Sequence, residues 1–143
     1  YDSWLELLDD DFEYIVVARG LAQDSKSKFE RVLFSSDKSK WKTFIERLKS
    51  DYGWAYKYAK TITRRIVGNL RILTTRDSKI KISSSFILIR LEGDEVRENL
   101  QYIISGKGED IMRLYASGEL KLCKRTVFID SPSYPSYNLY FPI

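Results

Sequence analysis

Histidine is absent from this 143-residue chain, and cysteine occurs once, at Cys123. These two shortages exclude more chemistry than any motif admits. A zinc site, an iron–sulfur cluster and a two-histidine, one-carboxylate iron site all need ligands that the chain does not carry. Ser-His-Asp and Cys-His catalysis fall with the same absence. A disulfide within the chain is impossible, so nothing argues for an oxidising compartment. No apolar run approaches membrane-spanning length, and cytoplasmic residence is the expectation. Internal repeats, linkers and low-complexity segments are also missing, which leaves a single domain over residues 1–143.

What is present suits a folded domain. Hydrophobic residues are 43% and charged residues 31%, ordinary values for a globular chain. The 24 basic and 20 acidic side chains leave a net charge of +4, short of the concentrated basic stripe of a nucleic-acid binder. Aromatics reach 14%, including ten tyrosines, a side chain favoured at wet-edged interfaces.

Along the chain, Trp4, Leu5, Leu7 and Leu8 suit the last turns of a helix that Asp9, Asp10 and Asp11 end. The chain thus starts in mid-element, and a preceding helix is expected to have been removed or left out. Residues 12–19 read as a strand, and 29–34 as a short strand or turn. From Ser36 or Asp37, either of them a suitable N-cap, Trp41, Phe44, Ile45 and Leu48 fall at helical spacing. That helix should end near Ser50, and residues 54–60 form an aromatic connection.

The segment 61–72, TITRRIVGNLRI, separates by parity. Ile62, Ile66, Leu70 and Ile72 share one parity with Arg64 and Gly68, whereas Arg65, Asn69 and Arg71 share the other with Val67. A period of two marks a strand with one buried face. The expectation is that the isoleucines face the core and that Arg65, Asn69 and Arg71 lie together on the opposite side. A turn at 75–78 leads to a second alternating strand, KIKISSSFILIRLEG. A third follows over about 97–116, with a bulge or bend expected at Gly106 and Gly108. Ser117–Gly118 reads as a hairpin turn and 119–130 as a fourth strand. Helices first and long hairpin strands afterwards imply an α+β fold, with helices on the concave face of one bent sheet.

Three readings of the arginine face stay open. It could form a phosphate-binding surface extended by Lys79, Lys81 and Arg125, but Ser, Asn and Thr residues intervene. It could be an interface, since guanidinium forks bind carboxylates at two points. It could also be a solvated sheet face. GKGEDIMR at 106–113 lacks the spacing and the following lysine of a phosphate loop, and Glu109 and Asp110 are better read as directed toward arginines. The aspartate run lacks the spacing of an EF-hand. Asp10 or Asp11 with Tyr14 could line a pocket and transfer a proton, with burial raising a carboxyl pKa. Cys123 alternates with Leu120 and Leu122 and reads as a packed thiol.

As a set these segments resemble the small (β) subunit of aromatic-ring-hydroxylating dioxygenases, the Rieske non-haem iron oxygenases. The matching pieces are YDSWLELLDDDFEY at 1–14, TRRIVGNLRI at 63–72, SSSFILIR at 83–90, YIISGKGEDIMRL at 102–114, LKLCKRTVFID at 120–130 and NLYF at 138–141. The resemblance implies a cone-shaped α+β fold like nuclear transport factor 2. It implies a metal-free, non-catalytic chain that trimerises and supports large (α) subunits, usually as α3β3. The large subunits would carry the Rieske [2Fe–2S] cluster and the mononuclear iron. Arg64, Arg65, Asn69, Arg71, Asp110, Arg113 and Arg125 then become subunit-interface candidates, with Asp110 and Arg113 the preferred ion-pairing groups. Nucleic acid and membrane are not expected partners. The rivals are a stand-alone isomerase or dehydratase of the same fold, using Asp10, Asp11 or Tyr14, and a ligand-binding scaffold protein.

Overall fold

The structure is a computed structural model that describes residues 2–19, 30–50, 60–93 and 100–131. In order it contains α1 (Asp2–Glu6), β1 (Leu8–Arg19), β2 (Glu30–Asp37), α2 (Lys38–Lys49), β3 (Lys60–Arg76), β4 (Lys79–Gly93), β5 (Leu100–Leu114) and β6 (Leu120–Ile129). The strands make one curled, open sheet in the order β2-β1-β6-β5-β4-β3, with β1 and β6 parallel and every other pair antiparallel.

α2 starts where the Asp37 side chain accepts the Lys40 amide at 2.9 Å, so Asp37 rather than Ser36 is the cap. It stops where the Ser50 amide donates to the Glu46 and Arg47 carbonyls. The face it buries carries Trp41 and Ile45. Trp41 meets Tyr14, Phe34, Phe44 and Trp4 edge-on, with ring centroids 5.3–6.0 Å apart, the arrangement in which positive ring edges meet negative faces. On β1 the alternating Phe12, Tyr14, Val16 and Ala18 are all buried. Their side of the sheet is therefore the inner, helix-covered side. Directly opposed residues on paired strands share a face, so the registers carry this side across the sheet: Val16 to Val127 to Gly108 to Ser84, and Ala18 to Ile129 to Gly106 to Phe86.

Several expectations need correction. Asp9, Asp10 and Asp11 do not end a helix: α1 closes earlier, with the Leu7 amide on the Trp4 carbonyl at 3.1 Å, and the three aspartates lie in β1. The expected turn at 75–78 is shorter, because β3 continues to Arg76 and only Asp77 and Ser78 turn, with φ of 50° and 60°. Consecutive positive φ values are those of a tight hairpin turn whose twist matches the strands. Gly106 and Gly108 sit in unbroken register rather than in a bulge. A Cβ on Gly106 would lie 2.1 Å from the Phe128 carbonyl and 2.8 Å from the Phe86 ring. Close approach, not backbone bending, is what that glycine serves. The expected strand at 29–34 falls in β2 from Glu30 on, and residues 54–59 of the aromatic connection, the NLYF segment and all of 20–29 lie outside the described residues.

Candidate functional site

The arginine strand is where structure and parity part. Arg65 pairs with Leu88, and Val67 with Phe86, both buried on the inner face. Ile66 pairs with Ile87 and Ile62 with Leu91, so Ile62 and Ile66, expected to be core, lie on the outer face. Ile62, Ile66 and Ile103 are 52%, 61% and 63% exposed. Arg65, Asn69 and Arg71 do not share a face either. Between Gly68 and Arg71 the register slips by one residue, with Gly68 opposite Ser85 and Arg71 opposite Ser83, and Asn69 takes a φ of 52°. One extra residue moves everything beyond it to the other side. Arg71 thus lies outside with Arg64, and Arg65 lies inside. Asn69 Oδ1 accepts from Arg71 Nε at 3.0 Å, which holds the bulge together. Beside it an open outer groove of about 510 Å³ runs between Arg71, Leu73, Ser83, Lys107 and Asp130.

The inner face holds a polar cluster in the middle of an otherwise apolar surface. Arg125, opposite Tyr14 on β1 and Asp110 on β5, donates from Nε and Nη2 to the two Asp110 oxygens at 2.8 and 2.7 Å. This two-point contact raises the Arg125 pKa against the opposing effect of burial. Arg65 reaches the same space from β3. Burial, and then the charge of Arg125, lower its pKa, while the Tyr14 phenol opposes them. A cavity of about 180 Å³ opens here between Arg65, Val67, Ser84, Phe86, Arg125 and Val127, with Gly108 in its floor.

A second cluster joins the start of β1 to the end of the β5–β6 hairpin. Arg113 donates to Asp9 and to Asp11, each at 2.7 Å, and the Tyr115 hydroxyl donates to Asp9 at 2.9 Å. Cys123 Sγ lies 3.3 Å from the same carboxylate. Burial pushes Asp9 up, but hydrogen bonds from Cys123, Tyr115 and the Asp10 amide, with the charge of Arg113, together hold it below the ordinary carboxylate value. Burial, and then the Asp9 contact, push the Cys123 thiol up to about 11. Asp9, Asp11 and Cys123 have the spacing of a metal ligand set. Arg113 nevertheless bridges both carboxylates, and a thiol held protonated is a poor ligand.

Sequence reasoning missed Asp9, Tyr115 and Lys107 as partners. Asp9 and Arg113 are far apart in the chain, and no local pattern links them. Asp110 and Arg113 are ion-paired as expected of their residue types, but not to each other: Asp110 holds Arg125, and Arg113 holds Asp9 and Asp11. Glu109 is turned toward lysines rather than arginines, at 2.6 Å from Lys107 and 2.8 Å from Lys81. The pocket trio does not assemble. Asp10 pairs with Lys38 at 2.8 Å on the surface, Asp11 is held by Arg113, and Tyr14 is wholly buried beside Trp41. Among the described residues no helix is long and apolar enough to cross a membrane.

Comparison with known proteins follows the same lines. The family described as "ring hydroxylating beta subunit" matches residues 1–135. The biphenyl 2,3-dioxygenase subunit beta of Rhodococcus jostii (strain RHA1) is 27% identical, over 99% of this chain and 77% of its own. The benzene 1,2-dioxygenase subunit beta of Pseudomonas putida is 26% identical over the same shares. Among solved structures, naphthalene 1,2-dioxygenase with indole bound in its active site superposes with a TM-score of 0.73 at 20% identity, covering 98% of this chain and 74% of that one. The last likeness concerns the fold, the curled sheet with few helices of nuclear transport factor 2-like proteins.

Proposed function

The chain belongs to the ring-hydroxylating β-subunit family, the small subunits of aromatic-ring-hydroxylating dioxygenases, and from that premise we propose that its part is to assemble and brace the oxygenase, not to do chemistry. In this reading it trimerises and supports iron-containing large subunits in an α3β3 complex in the cytoplasm. A Rieske cluster takes two cysteines and two histidines, and the mononuclear iron takes two histidines and a carboxylate. A chain with one cysteine and no histidine offers neither set, so both irons are assigned to the large subunit. The stand-alone isomerase or dehydratase is not favoured: its Asp and Tyr do not meet.

The observation that carries the proposal is the outer face of β3, β4 and β5. Ile62, Ile66, Ile87, Leu91 and Ile103 present one apolar surface, each from 37% to 63% exposed. Isolated exposed aliphatics are ordinary, but a contiguous patch marks an interaction site. Burying each of these half-exposed side chains would contribute about 1 kcal/mol. Arg64 lies within the patch, and Arg71 with Asn69 borders it, so these three are proposed as the charged and polar interface groups. Asp110, Arg113 and Arg125 would support assembly through the strands they brace.

Native mass measurements test this, on the chain alone and co-expressed with its large subunit. The expected result is a trimer that takes up an iron-containing partner. Ile66→Asp and Ile103→Asp should abolish the assembly while leaving the circular dichroism spectrum unchanged. Assemblies of wild-type mass in both variants would refute the outer face as the interface.

A further inference from the structure

β3 is an edge strand. The sheet order places β4 on one side of it, and among the described residues nothing pairs with the other side. Every second residue of such a strand turns its amide and carbonyl away from its neighbour, so a row of donors and acceptors faces solvent. This edge is 17 residues long, against about 5–6 for an ordinary strand. Native edges are blunted by short length, bulges and charge. Here the register with β4 is unbroken from Lys60 to Gly68, and the bulges begin only beyond it. That stretch is regular enough to take a further strand. Ile62, Ile66, Val67, Leu70, Ile72 and Leu73 are each 45–67% exposed, so a flanking strand would find apolar surface on both faces.

Charge states what the edge would accept. From Thr61 to Arg76 the strand carries four arginines and no acidic residue. Arg64 lies opposite Ile89, Arg71 opposite Ser83 and Arg76 opposite Lys79, which places these three on the outer face. None of the three meets a carboxylate among the described residues; the hydrogen bond of Arg71 goes to Asn69. The β3 of a second copy is a poor occupant. Antiparallel pairing of the two would gather four arginines from each copy along one seam, and like charges across a strand pair are destabilising.

We propose that the free edge of β3, from Thr61 to Gly68, docks an extended acidic segment of another protein, which joins the six-stranded sheet as a further strand. The backbone of that segment completes the outward-facing hydrogen bonds. On the outer side a carboxylate meets Arg64 at two points, with aliphatic side chains over Ile62 and Ile66; on the inner side an aliphatic side chain covers Val67. Main-chain bonding supplies the affinity in this mode and the alternate side chains supply the choice of partner. Arg71 and Arg76 extend the attraction along the same face. The arrangement selects by sign, because the cations that admit an acidic strand reject the β3 of another copy. It goes beyond the bracing role, since it uses the backbone edge of β3 and not the outer surface of β4 and β5.

The test is amide hydrogen exchange, followed by NMR on the full chain near neutral pH. The probes are the peptide acetyl-Thr-Val-Glu-Val-Glu-Val-Thr-amide and its counterpart with lysine in place of glutamate. In the chain alone, alternate amides between Thr61 and Gly68 should exchange freely. The glutamate peptide should slow them about tenfold or more, half-maximally at about 1 mM or below, and the lysine peptide should not. Arg64→Glu should weaken the glutamate peptide about tenfold and admit the lysine peptide. No slowing at the edge, equal slowing by both peptides, or an unchanged preference in Arg64→Glu would overturn the proposal. So would alternate amides already protected in the chain alone, which would show the edge covered by this chain itself or by a second copy. Ile103→Asp, on β5, should keep the peptide effect even where the native mass falls, so the two readings fail separately; loss of the effect there would place the peptide on the outer face and not on the edge.

Discussion

Replacing Asp110 with asparagine should destabilise the chain by more than a surface ion pair ever does. The Asp110 side chain is 16% exposed and that of Arg125 28% exposed, and the two meet at 2.7 and 2.8 Å. Unit charges about 4 Å apart attract by about 4 kcal/mol at an effective dielectric constant near 20. Asparagine keeps the shape and one acceptor but removes the charge, and leaves Arg65 and Arg125 repelling each other across the cavity. Removing one partner of a buried pair costs about 3–5 kcal/mol; partial exposure here reduces that to about 2–4 kcal/mol. Urea unfolding at fixed protein concentration reads the difference. With a slope of about 2 kcal/mol per molar urea, the midpoint should fall by about 1–2 M. Adding Arg65→Met should recover about 1 kcal/mol of that loss, because it removes the repelling charge. An Asp110→Asn protein within about 0.5 kcal/mol of wild type, or no recovery on adding Arg65→Met, would refute the electrostatic account of the inner face.

Three further outcomes are expected. Gly106→Ala should cost about 3 kcal/mol or more, beyond ordinary overpacking, because the clash at 2.1 Å is with the Phe128 backbone and β6 must move; thermal unfolding checks it, and a Tm unchanged from wild type would contradict it. Asp9 has a depressed folded pKa, so its contribution is present above the unfolded value of 3.8 and is lost as pH falls through the lower folded value. The slope of stability between about pH 4 and pH 2 should therefore flatten in Asp9→Asn, measured by urea midpoints across that range. Cys123, with its pKa pushed up to about 11, should have only about one thiolate in a thousand at pH 8; iodoacetamide should label it slowly in the folded chain and rapidly in urea, and equal rates would show that the thiol is not held.

The sequence by itself determined the inventory of elements, and much of the chemistry that is ruled out. Each long strand was legible because its alternation survives over many residues, and α2 because Trp41, Phe44 and Ile45 recur at helical spacing behind a capping aspartate. The absence of histidine excludes a two-histidine iron site, a Rieske cluster and histidine-based triads. The start of β1 was misread because an apolar pair ahead of an acidic run looks like a helix end, whereas Asp9 is drawn into the sheet by Arg113, Tyr115 and Cys123, all more than a hundred residues away.

Only the tertiary structure decided which face is which. Alternation reveals that a strand has two unlike faces, but not which one turns to the core when both carry apolar residues. On β3 Ile62 and Ile66 lost that contest because Arg65 and Val67 are tied by register to Leu88 and Phe86, whose own side is set by β5, β6 and β1. Bulges complete the separation. Their extra residue is invisible to a period-two pattern, yet it puts Arg65 in the cavity and Arg71 on the outer surface. Periodicity is a property of neighbours along the chain. Orientation is a property of the strand across the sheet, and it is imposed by hydrogen bonds to residues the local pattern never sees.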